Sequence, residues 1–144
     1  MSGASQGVNG LTFTATGQTA RNRILGSAAA SKEAFGSGGC TMRLAFVARY
    51  TGSMTAVDLQ CGLSDGGAAF ASGNYGAINF GDLSTSYKRF GIIVSSFSGL
   101  SFSTDVSVKF ATTSWTGTGG VEITLIYLLP LPTGTGWSYW RPGY

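Results

Sequence analysis

Thr41-Met-Arg-Leu-Ala-Phe-Val-Ala-Arg-Tyr50 is the stretch whose reading decides the fold. Met42, Leu44, Phe46, Ala48 and Tyr50 alternate with Thr41, Arg43 and Arg49. A period of two places one face of a strand in a core and the other in water. The same period recurs on both sides. Towards the N-terminus, Leu11-Thr-Phe-Thr-Ala-Thr16 sets Leu11, Phe13 and Ala15 on one face, and Arg21 to Leu25 reads as a further short strand. Towards the C-terminus, Ala56 to Leu63 turns Val57, Leu59, Cys61 and Leu63 inward and Asp58 and Gln60 outward. With Thr51-Gly-Ser-Met-Thr55 as its turn, this run is expected to form a hairpin with residues 41–50.

Four more runs continue the pattern: Ala77 to Phe80; Tyr87 to Ser95 with Phe90, Ile92 and Val94; Val106 to Ala111 with Val106, Val108 and Phe110; and Val121 to Leu129 with Val121, Ile123, Leu125, Tyr127 and Leu129. Only Ser27 to Phe35, with its alanines, Lys32 and Glu33, suggests a helical turn. Short strands separated by Gly, Ser and Thr, without βαβ spacing, predict an all-β fold, an antiparallel β-sandwich of the jelly-roll kind. Its core is expected to hold Met42, Leu44, Phe46, Val57, Leu59, Phe90, Ile92, Val94, Val108, Phe110, Ile123 and Leu125. At 144 residues a single domain is expected. Residues 1–10 read as a flexible N-terminal arm, 11–131 as the sandwich and 132–144 as an aromatic tail, with Pro130, Pro132 and Pro142 following the last strand and stopping the ladder.

Chemistry is scarce in this composition. The chain has no histidine, so no Ser-His-Asp triad, Cys-His pair or histidine metal site is expected. Of the six carboxylates, Asp58, Asp65, Asp105 and Glu122 show no spacing that singles out a catalytic pair, and all six read as exposed and solubilising. Asp58, Asp65 and Asp82 lack the pattern of a calcium loop. Gly117-Thr118-Gly119-Gly120 reads as a turn before a strand and not as a phosphate loop. Cys40 and Cys61 are too few for a disulfide framework, and Cys61 lies in an apolar register where a thiol acts as a small hydrophobe. The reading is therefore a non-enzyme with no catalytic residues, no metal and no cofactor.

Only 10% of residues are charged, and the net charge is +3. The basic residues are scattered, with no arm or run to hold nucleic acid. No apolar stretch reaches the roughly 20 residues of a membrane span, and Met1-Ser2-Gly3-Ala4-Ser5 lacks the parts of a signal peptide, so synthesis in the cytoplasm is expected. A surface of Ser, Thr, Gly and Ala suits self-association or packing on a larger assembly. Contact residues are expected among Trp115, Trp137, Tyr139, Trp140, Arg141 and Tyr144, whose rings can stack on sugars or fill a partner's pocket. Trp115 directly follows a strand and equally suits capping the sandwich's own core.

Ser86-Tyr-Lys-Arg-Phe90, the hydrophobic strand after it, Val106-Ser-Val-Lys-Phe110 and Gly119-Gly-Val-Glu-Ile-Thr-Leu-Ile126 together resemble the C-terminal half of carbohydrate-binding-module-like jelly-roll proteins of bacteriophage virions. Thr41 to Leu63 resembles that family's central hairpin. Where those proteins end on an acidic strand exit and a Gly-Ser-rich segment, this chain has Leu128-Leu-Pro-Leu-Pro132. The resemblance implies a virion structural protein, a head decoration or cement subunit or a small fibre or tail component. It also implies a homo-oligomer, a trimer, that contacts other virion proteins and resides in a virion assembled in the host cytoplasm. The alternative is a carbohydrate-binding module that recognises a surface glycan through exposed aromatics. A coat protein packaging nucleic acid would need a basic arm, which is absent.

Overall fold

The computed structural model describes residues 5–7, 10–23, 40–65, 69–70, 75–94 and 106–132. The strands are β1 (Ser5–Gly7), β2 (Gly10–Phe13), β3 (Thr19–Arg23), β4 (Cys40–Asp65), β5 (Tyr75–Asn79), β6 (Lys88–Val94) and β7 (Val106–Pro132), with a 3-10 turn at Phe80–Asp82. Every pairing among them is antiparallel. Residues 5–7, within the segment read as an arm, pair with β2. The helical turn expected at Ser27 to Phe35 and the tail beyond Pro132 lie outside the described residues.

The expected hairpin between residues 41–50 and 56–63 does not form. Both runs belong to β4, which is 26 residues long, and both pair with the 27-residue β7, the pairs running from Cys40↔Pro132 to Asp65↔Val106. Likewise, the two expected strands at 106–111 and 121–129 are one. Pro130 and Pro132 lie inside β7, opposite Met42 and Cys40, instead of beyond it. There β7 has only β4 beside it among the described residues, so a missing N–H on its other edge breaks no ladder.

The short strands sort by which half of this ribbon they join. β2 pairs with β7 at 121–123 and β6 pairs with β4 at 42–48. β3 pairs with β7 at 107–111 and β5 pairs with β4 at 58–62. One layer is therefore β1, β2, the C-terminal half of β7, the N-terminal half of β4 and β6. The second is β3, the N-terminal half of β7, the C-terminal half of β4 and β5.

Phe46 and Phe110 prove that the ribbon folds over. Phe110 is opposite Cys61, fifteen residues along β4 from Phe46. A straight strand would hold the two sites about 50 Å apart, yet their rings meet edge-on with centroids 5.1 Å apart. Gly76 of β5 likewise lies against Ile92 of β6, where a Cβ would be 3.2 Å from Ile92 Cδ1.

The corner falls between Thr51 and Asp58, where the register shifts at Met54/Ala56 and again at Ala56/Asp58. Sequence reasoning assigned a turn to this stretch because a bulged corner uses the same residues. Gly52 has φ 74° and Gly119 φ 128°, values that only glycine adopts readily. A Cβ on Gly52 would lie 2.5 Å from the Thr118 carbonyl oxygen, and one on Gly119 would overlap that of Thr51. Both links between layers cross here too. The β2–β3 link is held as Thr112 Oγ1 donates to the Ala15 carbonyl at 2.7 Å, and the β5–β6 link as Tyr50 N–H donates to the Ser84 carbonyl at 3.0 Å.

Between the layers lie Leu44, Phe46, Val57, Leu59, Val108, Phe110 and Ile123, all buried, with Phe90 and Ile92 packed against them. Met54, in the supposed turn, is buried as well. Leu125 departs from the alternation. It was expected in the core but is 58% exposed, because a register shift at Ala45/Val47 gives β7 an extra residue and Leu125 takes φ 50°. Beyond that bulge the alternation reverses, so Ile126 and Leu128 pack on the core and Tyr127 points out.

Candidate functional site

The outer face of the first layer carries a fixed polar group beside exposed apolar side chains. Arg49 and Glu122 are cross-strand partners. Arg49 Nε donates to Glu122 Oε2 at 2.7 Å, and the Tyr87 hydroxyl donates to the same oxygen at 2.9 Å. The Tyr87 ring also lies under the guanidinium, with Arg49 Cζ 4.5 Å from its centroid. Glu122, expected to be exposed and solubilising, is instead half-buried and paired.

Electrostatics hold each group in one state. The Arg49 hydrogen bond pulls the Glu122 carboxyl below its usual pKa, against the opposing effect of burial. Burial first, and the bond to Glu122 second, raise the Tyr87 hydroxyl, so it remains a donor. Among the described residues Glu122 Oε1 accepts nothing, and the Arg49 guanidinium, which interacts with both Glu122 and Tyr87, carries N–H groups beyond the Nε that Glu122 binds. An acceptor and several donors thus sit side by side in fixed positions, the arrangement that adjacent hydroxyl groups require.

Along the same face, Tyr127 lies opposite Ala45, and Ala45 lies opposite Gly91 on β6. The small residues make a floor, and the Arg43 guanidinium lies over Gly91, with Nε 2.6 Å from where a Cβ would stand. Tyr127 is 54% exposed and Leu125 stands between it and Glu122. Four strand positions separate Ala45 from Arg49, roughly 13 Å. That is the reach of a short oligosaccharide and exceeds one sugar ring.

No protein-family model matches the chain, and no curated protein matches it by sequence. Among solved structures, a CBM4 protein superposes over 88% of this chain with a TM-score of 0.50 and 10% identity, and this chain spans 64% of its length. A CBM61 protein in complex with β-1,4-galactotriose matches over 84% of this chain and 70% of its own, with a TM-score of 0.45 and 11% identity. The fold is a jelly roll like that of the carbohydrate-binding modules.

Within this jelly roll, Trp115 is half-buried and packs on the core cluster from the corner midway along β7. Trp137, Tyr139, Trp140, Arg141 and Tyr144 lie outside the described residues. Sequence reasoning missed Arg49, Glu122, Tyr87 and Tyr127 as a group. Its usable signal was the opposite charge of Arg49 and Glu122 on outward positions of two strands. Tyr127 was hidden by the bulge, which moves it off the face that strict alternation gives it.

Proposed function

We propose that the protein is a non-catalytic glycan-binding module that takes an oligosaccharide on the outer face of the first layer. The observation that carries this reading is the locked Arg49–Glu122–Tyr87 group next to exposed Leu125 and Tyr127. The pair offers donors and an acceptor to neighbouring hydroxyls, and Tyr127 offers a ring face to the apolar side of a sugar. The jelly-roll likeness to a carbohydrate-binding module supports the same reading. Isothermal titration of the full chain against a panel of neutral and acidic polysaccharides tests it. We expect binding to at least one, weakened about tenfold or more by Arg49→Ala and by Tyr127→Ala. Binding to none, or unchanged binding in both variants, rejects the reading.

A second reading, a decoration or cement subunit of a phage particle, keeps the support of the 10% charged fraction and the aromatic segment Gly136 to Tyr144. It puts homo-oligomer contacts in that segment. Deleting Gly136 to Tyr144 separates the two readings: loss of assembly with glycan binding intact belongs to the virion role, and no change in sedimentation removes it.

A further inference from the structure

The outer face of the second layer contains a buried cation. Alternation along β4 and β7 puts Ser107 and Lys109 on this face, opposite Ser64 and Gly62, and β3 sets Arg21 directly beside Lys109. Lys109 is 5% exposed. Its Nζ lies 4.4 Å from the centroid of the Phe70 ring, which stacks on Tyr75 at 5.1 Å and so covers that part of the sheet. Burial first, and the Arg21 charge second, press the Lys109 pKa down. Like charges directly opposite each other on a ladder repel.

On the same face Ser64 is 0% exposed, and its Oγ has no hydrogen-bond partner among the described residues. A buried hydroxyl in that state is destabilising unless something bonds to it. The buried ammonium and the orphan hydroxyl share one remedy, an acceptor that carries negative charge.

We infer that this face binds a small oxyanion, a carboxylate or sulfate group, seated between Lys109 Nζ and the Ser64 hydroxyl. The inference does not depend on the glycan site of the first layer, which lies on the opposite side of the sandwich. The anion is either free in solution or a substituent of an acidic sugar, and the chemistry at the site is the same.

Side-chain nitrogen NMR of lysine-labelled full-length protein reads the site directly, in titrations with sodium sulfate, acetate, glucuronate and neutral glucose at constant ionic strength. We expect a saturable shift of the Lys109 Nζ resonance with the anions and none with glucose. Ser64→Ala, a change too small to disturb the strand, should weaken the apparent affinity about tenfold. Lys109→Met should remove the saturable anion-dependent rise in Tm. Tighter binding of glucuronate than of acetate assigns the site to an acidic sugar, and equal binding assigns it to a free anion. Both uphold the inference. A response that follows ionic strength alone, or an affinity unchanged by Ser64→Ala, overturns it.

Discussion

Leu125 combines a backbone conformation that leucine resists with a side chain left in water: φ is 50° and the residue is 58% exposed. The left-handed conformation costs a branched residue about 1 kcal/mol, and burial returns nothing here. Leu125→Gly should therefore raise stability by up to about 1 kcal/mol in urea unfolding while weakening glycan binding. A loss of stability would show that Leu125 packs in a way its exposure does not reveal. Glu122 supports a pH prediction. Its folded pKa is depressed by Arg49, so the pair's contribution is whole above the ordinary glutamate value of about 4.3. It disappears as pH falls through the lower folded value. Glu122→Gln should flatten the acid limb of a Tm-against-pH curve below about pH 4. An acid limb identical to wild type would mean other carboxylates carry the effect.

At the scale of elements, the corner is the part on which the architecture depends. Gly119→Ala forces a Cβ onto the Thr51 carbonyl and should destabilise by about 2 kcal/mol or more, measurable by the urea midpoint. Gly81→Ala, with open space around the added carbon, serves as a control and should be close to neutral. Strands were legible in the longer alternating runs: residues 87–95 contain β6 at Lys88–Val94, and residues 41–50, 56–63, 106–111 and 121–129 all lie in strand, whereas of residues 11–16 only those up to Phe13 do. Their continuity was not legible. Thr51-Gly-Ser-Met-Thr55 has turn composition because Gly52 needs positive φ, and a reversal and a bulged corner make that same demand. The bulge at Leu125 left no local mark either, since an extra residue in one strand is defined only against its partner. For the same reason the candidate site was hidden: Arg49 and Glu122 are 73 residues apart, and only the inter-strand register brings them together.

For the whole molecule, the two layers share β4 and β7 and so cannot be stable separately. Phe110→Ala, which removes the ring that meets Phe46 across the core, should cost about 3–5 kcal/mol. Probes in both layers should still report one coincident unfolding transition. Separate transitions would show that the corner is a hinge between independent units. The shared ribbon also sets an order of assembly. Of all β4–β7 pairs, Asp65↔Val106 encloses the least chain and Cys40↔Pro132 the most. Loop closure favours the former first, after which pairing advances through the corner into the first layer. Val108→Ala should accordingly slow folding, whereas Leu44→Ala should mainly hasten unfolding, a contrast that φ-values measure. A chain whose pairing halted at the corner glycines would then have built the second layer and not the first, so the surface with Tyr127 is the last part of the protein to come into existence.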